Sequence, residues 1–298
     1  MVHQLFLKHL PWEFSYNMKC EFLRIKTSDG LKLPTLYYKK SDSNTVVIHV
    51  HGMAGSFYED YVDTLAKAYN DIGYSFVCFN NRGCEYFLPF LKNGEVKIYG
   101  SNYELFSESK LDIDSVVKYF ENLGYENVIL SGHSYGCNKI VNYYTETKDK
   151  KIKKLVLMSP CDVIMQTISK LGNKYEALCE KAKEKVNAGR GNEVLSFSFY
   201  PLCFSCNTFL SDFLEGGKND VFRYRTPNYR SDELKSINVL VNVIIGDNDK
   251  VVYLNDKDIV LNYIKENIKN VNIISVSECG HTYKNTQKLY DAIKRCNK

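Results

Sequence analysis

Residues 127–137 read NVILSGHSYGC. An apolar run (Val128, Ile129, Leu130) passes straight into Gly132-His133-Ser134-Tyr135-Gly136, and NKIVNYYTET (138–147) follows with helical spacing. Most strands end in turns that are easy to make. Here a G-x-S-x-G pentamer sits at a strand–helix junction, the pattern of a strained turn that displays a serine hydroxyl at its tip. Glycines two before and two after the serine leave room for the neighbouring strand and helix. The helix N-terminus beneath the serine favours developing negative charge.

Outward from this turn, buried strands alternate with amphipathic helices. TVVIHVHG (45–52), SFVCFNNRG (75–83), KKLVLMSP (153–160), NVLVNVIIG (238–246) and VNIISVSE (271–278) are continuous apolar runs of the kind covered on both faces. Between and after them lie helical patterns over 58–74, 111–125, 257–268 and 284–296, several closed by a glycine. The alternation predicts an α/β fold with a mostly parallel central sheet flanked by helices. EFLRIKTSDGLKLPTLYYKK (21–40), with its Ser-Asp-Gly turn, predicts an N-terminal hairpin at one sheet edge. Residues 161–236 break the pattern: a helix over 173–189 and an aromatic segment containing Phe197, Phe199, Tyr200, Phe204, Phe209 and Phe213, with Phe222 and Tyr224 beyond it. We expect 1–160 and 237–298 to form one core and 161–236 a cap inserted into it.

A serine needs a base, and the base needs a carboxylate to orient it. The elbow architecture places these later in the chain, acid before histidine. Of six histidines only His281, in SECGHTY, lies downstream of Ser134, so it is the candidate base. Asp247 and Asp249 both follow strand 238–246, at the end where parallel sheets gather catalytic groups. Asp249 is the choice for the acid, ahead of Asp247 and then Asp162; one of the first two is free to cap the turn. HVHGMAG (49–55) supplies a glycine-rich turn after a buried strand. It points to an oxyanion hole formed by the backbone N–H groups of Met53 and Tyr135. His51, Gly52, Gly132 and Gly136 support these turns, and His133 packs beside the elbow.

Composition narrows the rest. A net charge of +4 from 39 basic and 35 acidic residues is too mild for a nucleic-acid binder. No apolar stretch reaches the ~20 residues that span a membrane, and the N-terminus lacks the pattern of a signal peptide. Ten cysteines without such a signal suggest reduced thiols and a cytoplasmic protein. Cys203 and Cys206 form one CxxC with no second pair, so neither a metal nor a cofactor is expected.

HGMAG, NNRG, GHSYG, GDNDKVV and CGH, each at the end of a buried strand and in this order, resemble the α/β-hydrolase superfamily over residues 21–298, as a serine esterase or lipase with a cap insertion. Asn81 stands where the family commonly carries aspartate in its Asn-Arg-Gly turn. The resemblance implies a cofactor-free hydrolase: Ser134 attacks, His281 shuttles the proton, Asp249 holds the imidazole, and water releases the acid from an acyl-enzyme. A small or medium organic ester is the expected substrate, with an apolar or aromatic portion under the cap. Thioesterase, amidase or peptidase and acyltransferase chemistry use the same triad. A binding protein on the hydrolase scaffold is the alternative of a different class, and oligomeric state is left open.

Overall fold

A computed structural model describes residues 18–195, 203–253 and 256–297. Ten strands run in chain order: β1 (Glu21–Lys26), β2 (Lys32–Tyr38), β3 (Thr45–Val50), β4 (Ser75–Phe79), β5 (Leu88–Lys92), β6 (Glu95–Tyr99), β7 (Asn127–His133), β8 (Ile152–Met158), β9 (Leu240–Gly246) and β10 (Val271–Val276). Helices are α1 (Asp60–Asp71), α2 (Ser109–Asn122), α3 (Tyr135–Thr147), α4 (Val163–Leu171), α5 (Lys174–Asn187), α6 (Cys206–Phe213), α7 (Asp232–Lys235), α8 (Lys250–Tyr253), α9 (Lys257–Asn267) and α10 (Thr286–Arg295).

Eight strands form one sheet in the order β1-β2-β4-β3-β7-β8-β9-β10. From β4 to β10 every pairing is parallel, and the hairpin β1–β2 joins β4 antiparallel. The middle strands read as unbroken apolar runs because both their faces are covered. On one face α2, α3 and α9 bury Val116, Phe120, Ile140, Val141 and Ile264 against Val46, Ile48, Leu130 and Leu155. On the other, α1 and α10 bury Leu65, Tyr69, Leu289 and Ile293 against Val47, Val156 and Ile244. Each such side chain contributes about 1.5–3 kcal/mol by leaving water.

Two features depart from strand–helix alternation. The hairpin β5–β6 after the Asn81-Arg82-Gly83 turn is absent from the sequence pattern, because Val96 and Ile98 remain exposed and Phe90 alone of its side chains is buried. Over 161–236, α4, α5 and α6 surround a separate cluster of Tyr175, Ala182, Leu195, Phe204, Phe209 and Phe213, and Met53 packs on its border. Phe222 and Tyr224 instead belong to the core beneath the sheet. Phe197, Phe199 and Tyr200 lie outside the described residues.

The Asn-Arg-Gly turn is anchored by charge. The Arg82 guanidinium is fully buried and donates to Asp112 of α2 at 2.8 Å, with Asp29 and Glu108 within 3.2 and 3.0 Å. A buried cation without its carboxylate is costly, so Asp112→Ala is expected to lose about 3–5 kcal/mol. The urea unfolding midpoint of the variant measures it.

Candidate active site

The site is built at the carboxyl ends of five adjacent strands. β7 ends in Ser134, whose backbone sits at φ 53°, ψ −123°, a conformation non-glycine residues rarely adopt. Such strain costs about 1–3 kcal/mol and persists only where the surroundings over-determine it. Here they do. Ser134 N–H donates to Met158 O of β8 at 2.8 Å, and Cys137 N–H donates back to Ser134 O at 2.9 Å. A Cβ on Gly136 would lie 2.2 Å from Val50 O of β3, and one on Gly132 would lie 2.6 Å from the Gly136 carbonyl. Both residues are therefore required to be glycine by close backbone approach.

Around the serine the sequence candidates come together. Ser134 Oγ lies 3.0 Å from His281 Nε2, on the loop after β10. His281 Nδ1 lies 3.0 and 3.1 Å from the two Asp249 oxygens, on the loop after β9. A proton on Nδ1 satisfies the carboxylate and leaves Nε2 as the acceptor for the serine hydroxyl. Asp249 is fully buried and accepts the Val251 and Val252 N–H groups at 3.0 Å each. Burial alone would raise its carboxyl, but the His281, Ser159 and backbone donors outweigh it and hold the group below its ordinary value. Asp247 is exposed and accepts the Cys279 N–H at 3.3 Å, which makes it the turn cap of the pair. Asp162 caps α4 through Met165 N–H and stands apart from the imidazole; its burial pushes it up to about 6.

The supporting residues have separate tasks. His51 donates from Nδ1 to Gly52 O at 2.8 Å and accepts the Asn81 N–H on Nε2 at 3.2 Å. Burial, with Lys139 nearby, pushes it down to about 3 and keeps it neutral. His133 donates from Nε2 to His281 O at 2.8 Å, and its ring stacks at a tilt 4.9 Å from the His281 ring. Burial, aided by His281, also lowers His133 to about 3. Gly52 brings the β3 turn against Ser134, so Met53 and Tyr135 flank the serine from two sides. Among the described residues, neither the Met53 nor the Tyr135 N–H has a backbone acceptor.

Three groups at the site carry no sequence signal. Cys161 Sγ, on the loop after β8, lies 3.6 Å from Ser134 Oγ. Ser159 and Tyr283 hydroxyls meet at 2.8 Å behind Asp249, and Tyr283 donates to Ile244 O at 2.7 Å. Behind Tyr135 a buried Lys139–Glu104 pair (2.6 Å) sits beside the buried Asp212 of α6, whose carboxyl is raised by burial and by the Glu104 charge. Each depends on contacts between distant segments. Among the described residues, no three His, Cys, Asp or Glu side chains gather to hold a metal ion, and all ten cysteines are unpaired.

The imidazole is the electrostatic centre. Its burial favours the neutral ring, but the Cys161 sulfur and the Asp249 carboxylate beside it raise His281 above its ordinary value, so a proton arriving on Nε2 is stabilised. A raised value in the folded state makes this a stabilising charge. Its contribution is complete below pH 6.5 and is lost as pH rises through the raised folded-state value. The stability advantage of the wild type over His281→Gln is therefore expected to shrink across that interval. Thermal unfolding at a series of pH values measures it.

The alpha/beta hydrolase fold family matches residues 45–197, just over half of the chain. No curated protein matches in sequence. Among solved structures, Est1E from Butyrivibrio proteoclasticus with bound ferulic acid superposes with TM-score 0.61 at 16% identity, covering 93% of this chain and 97% of that one. The Pyrococcus furiosus esterase Pf2001 gives 0.59 at 18% identity over 94% and 91%. The α/β hydrolase GrgF from Penicillium sp. sh18 gives 0.67 at 12% identity over 93% and 99%. Among the described residues no helix is long and apolar enough to cross a membrane. Sheet order, strained elbow and sequence match converge: the chain belongs to the alpha/beta hydrolase fold family.

Proposed function

We propose that the protein is a serine hydrolase of the esterase type, acting on small or medium organic esters. Family membership supports a hydrolase. The observation that carries the finer assignment is the continuous chain Ser134 Oγ–His281 Nε2, His281 Nδ1–Asp249 at 3.0 Å each. Ser134 passes its proton to Nε2 as Oγ attacks the ester carbonyl. The oxyanion that forms is held by the Met53 and Tyr135 N–H groups, assisted by the α3 N-terminus. His281 then protonates the departing alcohol, leaving an acyl group on Ser134. In the second half water gives a proton to Nε2, attacks the acyl carbon and releases the acid, restoring the serine. No cofactor takes part in this scheme, and Asp249 stays ionised throughout, held by its backbone donors.

Residues 161–236 serve as the cap in this proposal. Met53 joins an oxyanion donor to the cap cluster, so the ring-lined side of α6 borders the acyl site. The Est1E structure, with its aromatic acid ligand, and the esterase Pf2001 support an ester as the first substrate class to assay.

Ser134→Ala is expected to abolish labelling by a fluorophosphonate probe and to lower hydrolysis of short p-nitrophenyl esters by about 10⁴–10⁶-fold. Persistent turnover in the folded variant rules the assignment out. Asp249→Asn is expected to cost about 10⁴ in kcat by favouring the wrong imidazole tautomer. Asp247→Asn, at the turn cap, should remain within a few-fold of wild type, and the two variants assayed in parallel separate the acid from its neighbour.

A further inference from the structure

One side chain in the catalytic cluster has no place in this scheme. Cys161 is buried, with its sulfur 3.6 Å from Ser134 Oγ. Its S–H donates to Ser159 O at 3.3 Å, and the same Ser134 Oγ lies 3.0 Å from His281 Nε2. Two nucleophilic groups from neighbouring strand ends thus meet beside one imidazole. The other groups facing it are Asp249 after β9, His133 at the end of β7 and Glu59 before α1.

Proton bookkeeping separates two states. Either Cys161 keeps its proton and Nε2 is free to take the serine's, or the thiol proton sits on His281 and a thiolate faces an imidazolium. The first state arms Ser134. The second arms Cys161, since the thiolate is the reactive form. We propose that Cys161 is a covalent modification site inside the active site, a thiol that competes with Ser134 for His281 and silences the serine when a small disulfide captures it. Its effect on Ser134 rests on the serine-hydrolase assignment; the reactivity of the thiol does not.

The step balances. Cys161 gives its proton to His281 Nε2, and the thiolate attacks one sulfur of R–S–S–R. A Cys161–S–S–R bond forms, the reagent's S–S bond breaks, and R–S⁻ leaves with the proton from His281. The protein thiol is oxidised and the reagent disulfide reduced; excess thiol reverses the exchange. A substituent on a sulfur 3.6 Å from Oγ occupies the space where an acyl carbon must approach. Elsewhere burial works against reaction: it pushes the Cys78 and Cys137 thiols well up.

The test uses methyl methanethiosulfonate on the full chain. It transfers CH₃S to the thiolate and releases methanesulfinate. Peptide mapping by mass spectrometry follows each cysteine while fluorophosphonate labelling reports Ser134. Exposed Cys20 and Cys203 react in any case, so the comparison is among buried thiols. We expect Cys161 to be captured at least about tenfold faster than Cys78 or Cys137, and His281→Gln to slow that capture by about tenfold. Serine labelling should fall in step with Cys161 capture and return with dithiothreitol. In Cys161→Ala, labelling at whatever rate that variant shows should be insensitive to the reagent. Capture of Cys161 no faster than Cys78, capture independent of His281, or full serine labelling on thiolated Cys161 each overturns the proposal. Absence of labelling in the untreated protein strikes the serine-hydrolase assignment instead, and the two capture rates still decide whether the thiol is activated.

Discussion

Everything at the site depends on one backbone constraint, the left-handed conformation of Ser134. Its N–H is fixed to β8 through Met158 O, and Gly136 lets α3 close onto Val50 O of β3. Three strands therefore agree on the position of one hydroxyl. Because the turn is strained, it holds only while β3, β7 and β8 are in register, with Val50 opposite Gly132 and Gly132 opposite Leu157. The core thereby transmits its order to a single oxygen atom. α3, buried along Tyr135–Tyr144, is held by the same packing, which keeps its N-terminus beneath the serine.

Asp249 and His281 are positioned differently, on loops after β9 and β10, and electrostatics does there what strain does at the elbow. Asp249 is fixed by two backbone donors, and it in turn fixes the His281 ring. His133 holds the His281 carbonyl, so the loop is tied at its backbone as well as at its ring. Burial opposes charge on both groups, yet His281 is raised and Asp249 lowered, which is the sign of mutual stabilisation in place of isolated desolvation. The neutral buried histidines around them, His49, His51 and His133, are all lowered by burial first. The four histidines among the described residues thus divide into a charged-capable one and structural ones by partner and not by depth.

Legibility in the sequence follows the range of the interaction. Buried parallel strands and the elbow are written in contiguous residues, so the sheet, the hairpin β1–β2 and GHSYG could be read directly. His281 was reachable because only one histidine follows Ser134. Asp249 over Asp247 was a matter of two residues, and the structure separates them by burial: one faces the imidazole, the other caps a turn in solvent. Cys161 was invisible because SPCD carries no pattern; its importance lies in β8 ending beside β7. The Ser159–Tyr283 contact and the Lys139–Glu104 pair likewise span 124 and 35 residues. The hairpin β5–β6 escaped for the opposite reason: its exposed apolar side chains leave no periodic signal.

The aromatic richness of 161–236 divides once contacts are known. Phe204, Phe209 and Phe213 pack on one another, with Phe204 and Phe213 centroids 4.6 Å apart. Phe222 and Tyr224 close the main core. These five rings therefore hold structure together. Polar contacts link this segment to its surroundings as well: the Phe106 N–H donates to Asp212 of α6 at 3.2 Å, and Asn219, beyond α6, donates to the Tyr135 hydroxyl at 3.2 Å. The residue that lends the proposed oxyanion hole its N–H is thus gripped, through its side chain, by the segment that covers it. Buried hydrogen bonds, each costing about 1–3 kcal/mol if left unmade, thus tie residues 161–236 to the residue that follows Ser134.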